Sequence, residues 1–371
     1  MKIAQIAPVV ERVPPKKYGG TERVVHALTE ELVRRGHNVT LFASGDSITS
    51  AKLESVAPVS LRELDPYMYG MYGGNQWTLL NIARVYERQN EFDIIHDHTG
   101  HIGLPLAQLS RTPVVTTMHG AFLEEENMKI FQSLNKPHVV TISKAQQSIV
   151  GPRFIETVYN GLPMEDYPFS DTHDNYLLFV GRFTMFKGAH HAIHTALRTG
   201  YPLILAAKLE ESERPYFDKY IKPYLSRRIH WIGEVDTDQR NRLMSKAKAF
   251  LHPITWNEPF GLVMIEAMAC GCPVVAFNRG SAPEVVQHKR TGYVVKDFTS
   301  MLDAIPKVDR ISRAACRAHA LQNFSARVMT DNYEKIYSNI LAGKYNNIHG
   351  QKQTATYVES WIPNDTGIGN E

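Results

Sequence analysis

Cysteine is scarce in this sequence, which has only Cys270, Cys272 and Cys316 in 371 residues. Three thiols give no disulfide framework and no four-ligand zinc pattern. Two of them sit in the small-residue run ACGC, where free cysteine usually acts as a small apolar side chain. This cysteine usage fits a protein of the reducing cytoplasm.

Long apolar runs are also missing, and neither sign of charge dominates. No window is apolar over enough residues to cross a bilayer, so no integral membrane segment is predicted. The start, MKIAQIAPVV, is interrupted by Gln5 and Pro8, and it predicts a first strand rather than a secretory signal. A net charge of +3 gives no nucleic-acid stripe, whereas peripheral contact with a membrane stays open.

What the sequence does have is a steady alternation of strand-like and helix-like segments. Runs rich in Val, Ile and Thr, such as FDIIHDH and TPVVTTMHG, are each followed by turn residues. The segment TERVVHALTEELVRRG predicts an amphipathic helix with Thr21 as its N-cap and Gly36 as its C-terminal stop. Continuous apolar strands separated by helices are typical of parallel sheets covered on both faces, so the fold class is α/β.

The alternation is interrupted once, and this predicts two doubly wound, Rossmann-like domains that face a central cleft. Residues 1–163 form the first domain, the polar segment 164–175 around Pro168 is the linker, and residues 176–323 form the second domain. A final amphipathic helix is predicted at 324–343, followed by a polar tail at 344–371.

The segment GRFTMFKG (Gly181–Gly188) follows the strand NYLLFV and leads into a helix. A loop between a strand end and a helix N-terminus is a natural anion site, because free amides and the helix dipole point there. Arg182 and Lys187 add two cations to it. The alternative is a solvated pair of surface charges on an ordinary turn.

Two glutamates flank the start of another predicted helix in the segment WNEPFGLVMIEAMACG. Glu258 lies in the loop before this helix, and Glu266 lies about one turn inside it. Amides near Gly261 and Leu262 can hold an anion, while the two carboxylates accept hydrogen bonds from hydroxyls on either side, as a sugar nucleotide would require. The alternative is a capping carboxylate and one buried glutamate, but a buried Glu266 on an apolar helix needs a partner.

These motifs resemble those of a known enzyme family. The segment EPFGLVMIE follows GRFTMFKG by about seventy residues, and PPKKYGGTERVV, DIIHDH, TTMHG, VVTISKA, YNGLP and GSAPEVVQHKRTGYVV stand in the family's order and spacing. Over nearly its whole length the sequence resembles the retaining GT-B glycosyltransferases of family 4, also called glycosyl transferases group 1.

The resemblance implies a fold and a reaction. The first domain would bind the acceptor, the second would bind the donor, and the final helix would cross back to the first domain. A hexose-type sugar would move from a nucleotide diphosphate, with UDP or GDP expected, to a hydroxyl of a sugar, a lipid-linked sugar or a small metabolite. Anomeric configuration would be retained, and neither a metal nor another cofactor is expected.

Five of the implied site residues would bind the nucleotide end of the donor. Arg182 and Lys187 would hold the diphosphate and neutralise charge as it leaves. Glu266 would accept hydrogen bonds from the ribose hydroxyls. Gly19 and Gly20 would let the backbone of the first domain approach the phosphate or the acceptor.

The other implied site residues would contact the transferred sugar. Glu258, together with the amides of Phe260, Gly261 and Leu262, would bind its hydroxyls. His119 would form a hydrogen bond near the reacting carbon. Two alternatives to a transferase remain, namely a sugar-nucleotide epimerase of the same architecture and a non-catalytic protein that binds sugar nucleotides.

Several other features are assigned less demanding functions. The acidic run Asp236–Asp238 is interpreted as a helix N-cap rather than a metal site. The histidines of His96–His101 are expected to line the cleft or cap a helix, because their spacing matches no closed zinc site. Pro163 stands where the family often has aspartate, so no function is carried over there. Loops at 71–77 and 122–128 are expected to select the acceptor.

Overall fold

The computed structural model of the protein describes residues 1–17, 19–64, 73–120, 129, 131, 133–134, 138–150 and 154–345. Its first sheet has seven parallel strands in the order β3-β2-β1-β4-β5-β6-β7. The strands are β1 (Lys2–Ile6), β2 (Asn38–Phe42), β3 (Lys52–Glu54), β4 (Ile94–Asp97), β5 (Val114–Met118), β6 (His138–Thr141) and β7 (Glu156–Thr157).

A second sheet follows along the chain, and its six strands are also parallel. Their order is β10-β9-β8-β11-β12-β13. The strands are β8 (Leu177–Arg182), β9 (Leu203–Lys208), β10 (Ile229–Gly233), β11 (Ala249–His252), β12 (Val274–Phe277) and β13 (Gly292–Val295).

Helices flank both sheets. They are α1 (Gly20–Arg34), α2 (Leu61–Leu64), α3 (Gly73–Glu87), α4 (Lys144–Val150), α5 (Ala189–Thr199), α6 (Arg214–Tyr220), α7 (Thr237–Lys246), α8 (Leu262–Ala269), α9 (Ala282–Val285), α10 (Phe298–Ala304), α11 (Arg313–Phe324) and α12 (Ala326–Leu341). The predicted fold class, two doubly wound Rossmann-like units in series, is confirmed.

Helix α1 illustrates how local sequence chemistry sets an element. Leu28 and Leu32 are fully buried in the core, and Gly36 adopts a left-handed φ of 83° just beyond the helix, as expected of a terminating glycine. The prediction that Thr21 caps the helix is wrong. The helix begins at Gly20, and Gly19 occupies the N-cap position without a side-chain bond.

In each sheet the strand order reverses beside the first strand of the unit, between β1 and β4 and between β8 and β11. Ligands of open α/β sheets bind outside the carboxyl ends of the strands at such a switch point. One cavity is lined by chain that leaves β1 in the first sheet and by the ends of β8 and β11 in the second. The two binding edges therefore meet in the central cleft.

The final helix crosses back to the first sheet, as predicted. The chain enters α12 beside the linker, where Leu162 N–H donates to Phe324 O at 3.0 Å and Ala326 N–H donates to Leu162 O at 2.7 Å. Tyr337 is then fully buried and lies 3.4 Å from the side-chain nitrogen of Gln5 on β1. The last helix thus packs into the first domain.

Glu284 adds a polar contact between the two domains. Its carboxylate accepts hydrogen bonds from the backbone N–H groups of Lys144 and Ala145 at 2.8 and 2.6 Å, at the start of α4. The Tyr159 hydroxyl donates to it at 3.0 Å. A carboxylate is well placed there, because the first-turn amides of a helix lack intrahelical partners.

Some sequence predictions fall outside the described residues. The polar tail is described only to residue 345, and the acceptor loop predicted at 122–128 lies outside the described ranges entirely. Of the loop predicted at 71–77, residues 73–77 instead form the beginning of α3. In the part of the chain that is described, no helix combines the length and apolarity needed to cross a bilayer.

Candidate active site

One cavity of about 550 Å³ lies between the two sheets, a size typical of small-molecule sites. It is lined by every residue to which the sequence assigns a catalytic or donor-binding function. These are Gly19, Gly20, His119, Arg182, Lys187, Glu258, Phe260, Gly261, Leu262 and Glu266. Segments separated by more than two hundred positions along the chain are therefore brought together, while the function of each residue stays a prediction.

Lys187 and Glu258 form an ion pair at the wall of the cavity. Lys187 Nζ lies 2.5 Å from Glu258 Oε1, and their side chains are only 19% and 15% exposed. Burial alone would raise the pKa of Glu258, but the charge of Lys187 and the nearby His252 outweigh it and lower that pKa to about 2. The carboxylate is thus ionised and weakly basic at neutral pH.

The turn before α5 presents Lys187. Thr184 Oγ1 accepts a hydrogen bond from the Lys187 backbone N–H at 3.2 Å and so caps the turn Met185–Lys187. Gly188 follows with a left-handed φ of 72°, and a Cβ there would lie 2.1 Å from the carbonyl oxygen of Pro253. Only glycine fits this conformation and this close approach.

His252, at the end of β11, is a cavity residue that the sequence reasoning missed. Its Nε2 lies 3.4 Å from Glu258 Oε2, and neither atom has a hydrogen-bond partner among the described residues. Both atoms are buried next to the cavity, where ligand hydroxyls could satisfy them. Its position at the carboxyl end of a strand is the sequence signal that could have identified it.

Glu266 is fully buried and tied to both domains. Its Oε1 accepts hydrogen bonds from Arg23 on α1 and from the Tyr167 hydroxyl at 3.1 Å, and it lies 2.7 Å from Arg240 on α7. Burial opposes ionisation, but the two guanidinium groups outweigh it and lower the pKa of this carboxyl. The second oxygen, Oε2, has no partner in the described ranges. One oxygen of Glu266 is therefore fixed by protein contacts, and the other is an acceptor without a contact among the described residues.

The start of α8 supplies backbone donors. Gly261 occupies the N-cap position with a left-handed φ of 76°. Its carbonyl oxygen accepts from the Met264 N–H at 3.0 Å, and the N–H groups that precede Met264 in the first turn have no partners within the helix. Phe260 is 2% exposed and packs on Tyr159 and Phe324. Its side chain therefore faces the core, and only its backbone can contact a ligand.

Arg182 lies at the carboxyl end of β8. It pairs in register with Lys208, so adjacent strands present two cations at the same edge of the second sheet. Lys208 also contacts Glu210 at 3.1 Å. This edge faces the cavity and is suited to an anionic group.

The first domain contributes the opposite wall. Gly20 lies against α8, where a Cβ would be 3.6 Å from Leu262 Cδ1, and a Cβ on Gly19 would lie 2.7 Å from Pro15 Cγ. Glu22 follows in the first turn of α1, and its burial raises the pKa of its carboxyl to about 7. His119 comes directly after β5, with Nε2 located 2.9 Å from His98 Nδ1.

The acidic run that resembles a metal site caps a helix. Asp236 Oδ1 accepts a hydrogen bond from the Gln239 backbone N–H at 2.8 Å, which is the N-cap geometry predicted for it. Within the described residues, no group of three or more His, Cys, Asp or Glu side chains is arranged to hold a metal ion.

Comparisons with known proteins show the family of this chain. The family model described as Glycosyltransferase Family 4 covers residues 18–165, and the model described as Glycosyl transferases group 1 covers residues 166–323. The chain belongs to this family of glycosyltransferases. It is therefore a transferase enzyme, and the resemblance noted in its sequence is confirmed.

Relatives of this family 4 glycosyltransferase span most of its length. N-acetyl-alpha-D-glucosaminyl L-malate synthase of Bacillus anthracis is 25% identical over 87% of this chain and 94% of its own. Glycogen synthase of Mycobacterium tuberculosis is 27% identical over 83% and 86%, respectively. The crystal structure of AviGT4, a glycosyltransferase involved in avilamycin A biosynthesis, has a TM-score of 0.69 at 25% identity and covers 92% of this chain and 98% of its own.

The fold is also shared with more distant structures. Sucrose-phosphate synthase of Thermosynechococcus elongatus has a TM-score of 0.76 at 21% identity, covering 92% of this chain and 99% of its own.

Pro163, where the family often has aspartate, is exposed and directly precedes the helical turn Met164–Asp166. Tyr167, just beyond this turn, is the linker residue that reaches Glu266.

Further cavity residues of this glycosyltransferase were not predicted. Arg23 and Arg240 bind Glu266, and Asn160 is buried at the cavity with an Oδ1 that has no partner in the described part of the chain. Asn160 lies within the recognised YNGLP segment, which is a sequence signal. The two arginines lie on helices whose sequence patterns look like ordinary amphipathic surface.

Proposed function

We propose that this glycosyltransferase moves a hexose-type sugar from a nucleotide diphosphate to a hydroxyl acceptor with retention of configuration. The observation that carries the proposal is the grouping of Arg182 and the Lys187–Glu258 pair with the free amides of α8 around one cavity. Cleavage of the bond between the sugar and the diphosphate increases negative charge on the leaving group. Fixed cations and amides directed at that charge stabilise the transition state.

The protonation state of Glu258 supports a front-face path. Its pKa of about 2 and its ion pair make it a poor base, suited to accept hydrogen bonds from sugar hydroxyls rather than to remove a proton. The acceptor oxygen would then form its bond to the anomeric carbon on the face from which the diphosphate departs. The carbon–oxygen bond to phosphate breaks, and a leaving phosphate oxygen takes the acceptor's proton.

Metal-independent transfer is part of the same proposal. Arg182, Lys187 and the α8 amides supply positive charge where other transferases use a divalent cation. Transfer measured in the presence of a strong chelator is expected to continue at its original rate. Loss of transfer that Mg²⁺ or Mn²⁺ restores would contradict this part.

Glu266 is proposed to bind the ribose through its second oxygen. Since its first oxygen is held by Arg23 from the first domain, donor binding and approach of the two domains would be linked. The acceptor would enter along the first-domain wall that contains Gly19, Gly20 and His119. The cytoplasm is the proposed compartment, because all three cysteines are free and buried.

The proposal is tested by thermal-shift measurements of the full chain with UDP-, GDP- and ADP-sugars, followed by transfer assays with the donor that binds. A ligand selective for the folded state raises Tm. Lys187→Met is expected to abolish the shift, whereas the control Lys296→Met, at a side chain that is 82% exposed, is expected to preserve it. Equal shifts in both variants would contradict the assignment.

Product analysis separates transfer from its alternatives. Proton NMR of the product is expected to give the same anomeric configuration as the donor. A new sugar nucleotide formed from donor alone would indicate an epimerase. Tight donor binding with no turnover across a broad acceptor panel would indicate a binding protein.

A further inference from the structure

A buried chain of hydrogen-bonding side chains holds His119 from behind. His119 Nε2 lies 2.9 Å from His98 Nδ1, and His98 Nε2 lies 2.7 Å from Gln5 Oε1. The side-chain nitrogen of Gln5 faces the Tyr337 hydroxyl at 3.4 Å. His98 is 3% exposed and Gln5 is fully buried, so bulk water does not compete for these bonds.

The Gln5 amide sets the direction of the bonds, because it is the member of the chain whose two ends differ chemically. Its Oε1 only accepts, so His98 Nε2 donates to it. Burial lowers the pKa of His98 well below its ordinary value, and lowers the pKa of His119 to about 4, so both rings are neutral at neutral pH. A neutral imidazole has a single N–H, which leaves His98 Nδ1 as an acceptor.

The same reasoning then fixes the tautomer of His119. Because His98 Nδ1 accepts, His119 donates to it from Nε2 and its own Nδ1 is unprotonated. His119 lines the cavity, and among the described residues its Nδ1 has no hydrogen-bond partner. The nitrogen left for a ligand is therefore a hydrogen-bond acceptor.

Beyond Gln5, the hydrogen bonds at the other end of this series run in a compatible direction. The Tyr337 hydroxyl accepts from the Gln5 nitrogen and donates to His96 Nδ1 at 2.6 Å. His96 Nε2 then donates to Thr117 Oγ1 at 2.7 Å. Tyr337 belongs to α12, so the helix that crosses back from the second domain helps to orient the Gln5 amide.

We propose that Gln5 and His98 are positioning residues that present His119 Nδ1 to the substrate as a hydrogen-bond acceptor. This inference rests on the proposed function, and it specifies the chemistry of the group that His119 contacts. That group is a hydroxyl, which can donate. A phosphate oxygen or a carboxylate, which can only accept, would oppose the nitrogen lone pair and is rejected at this position.

The tautomer is measured directly by long-range proton–nitrogen NMR of the full chain labelled with ¹⁵N-histidine. The His119 signals are identified by their loss in His119→Gln. A protonated Nε2 and an unprotonated Nδ1 are expected at pH 7, and a mixture of both tautomers is expected in Gln5→Met. A proton on Nδ1 in the unsubstituted protein overturns the inference. No substrate is needed, so this result stays distinct from success or failure of the proposed transfer.

The pH dependence of kcat supplies a readout that a merely structural role would not move. Gln5→Met is expected to lower kcat about tenfold to a hundredfold at every pH, because the buried N–H of His98 loses its acceptor and His119 is no longer held in one tautomer. Gln5→Glu keeps an acceptor facing His98, so it is expected to restore kcat at high pH. As pH falls, its carboxylate favours protonation of His98, which then donates to His119 and reverses the chain.

The titratable rings packed on His98 are those of His96 and His119, at 4.0 and 5.2 Å between ring centroids, with Tyr333 behind His96. None of these three is a carboxylate that would favour protonation of His98. The unsubstituted protein is therefore expected to lack the acid step of Gln5→Glu. A Gln5→Glu profile that superimposes on the original one would contradict the inference. So would full kcat in Gln5→Met.

Discussion

Replacing Lys187 by methionine tests the electrostatics of the site most directly. A pKa of Glu258 lowered from 4.5 to about 2 corresponds to about 3 kcal/mol in favour of the ionised carboxylate. This net gain remains after the cost of burial, and Lys187 is its largest source. Lys187→Met keeps most of the side-chain volume but removes the ion-pair partner of a buried carboxylate, which then keeps its contact with His252. We expect a loss of about 2–4 kcal/mol in the free energy of unfolding at pH 7.

The assay is a double-mutant cycle followed by thermal and urea unfolding. For a domain of this size, a loss of about 3 kcal/mol lowers Tm by roughly 6–12 °C. In a Glu258→Gln background, the same lysine substitution is expected to cost less than about 1 kcal/mol, because no charge is left unpaired. Transfer by Lys187→Met should fall about a hundredfold to a thousandfold.

Two results would refute this reasoning. The first is an equal effect of Lys187→Met in the two backgrounds, since the coupling would then be absent. The second is a Tm unchanged by the single substitution. Lys296→Met provides the baseline for loss of a lysine charge, because its side chain is 82% exposed.

Three further predictions concern other parts of the cleft. Arg23→Met removes the contact from the first domain to the buried carboxylate of Glu266, so small-angle scattering should give a larger radius of gyration. Arg34→Met, at an exposed side chain, should leave the radius unchanged, and equal radii in the two variants would argue against a tie between the domains. Burial raises the pKa of Glu22 from 4.5 to about 7, so the protonated carboxyl stabilises the folded state below pH 4.5, and this stabilisation is lost as the pH rises through 7. Relative to Glu22→Gln, the free energy of unfolding of the original protein should fall by about 3 kcal/mol between pH 4.5 and pH 8. A difference between the two proteins that stays constant with pH would contradict this. Gly280→Ala places a Cβ 2.3 Å from a backbone oxygen beside the site and should lower both Tm and kcat, whereas Gly200→Ala, which has a similar left-handed φ and open space, should cost only about 1–2 kcal/mol and leave kcat unchanged.

The fold was predictable because its signals are local. A buried parallel strand is rich in β-branched and apolar residues without a polar alternation, as the fully buried VVTTM in β5 is, and the intervening helices carry their own termination signals, as Gly36 does for α1. Such patterns specify α/β architecture without knowledge of distant contacts. The wrong prediction at Thr21 also has a local cause. The N-cap position is occupied by Gly19, with φ 154° and ψ 92°, although Thr21 has the better capping side chain.

The location of the site was predictable to a similar extent. Strand ends and helix starts lie at the binding edge of a parallel sheet, so Arg182, Lys187 and Glu258 could be assigned to the same edge from sequence order alone. Their pairing could not. A contact between positions 187 and 258 depends on how two loops close over each other, for which a single sequence has no signal.

The residues that reasoning from sequence missed depend on the arrangement of the two domains. Arg23 and Arg240 look like ordinary helix-surface cations, and each becomes a partner of Glu266 only when α1 and α7 converge on α8. The hydrogen-bond chain beneath His119 also needs the return of α12, which places Tyr337 beside Gln5 across more than three hundred positions.

The charges at the donor end of the cavity relate these separate contacts to the proposed reaction. Glu258 is balanced by Lys187, whereas Glu266 faces two arginines, and Arg182 stands at the strand edge. Within this group of six side chains, four cations outnumber two carboxylates. A diphosphate diester carries two negative charges and becomes more negative as its sugar departs, so a surplus of cations here would fit the proposed donor and would stabilise the leaving group. One of these cations, Arg23, comes from the first domain and another, Arg240, from the second, so both domains supply the positive charge that faces Glu266.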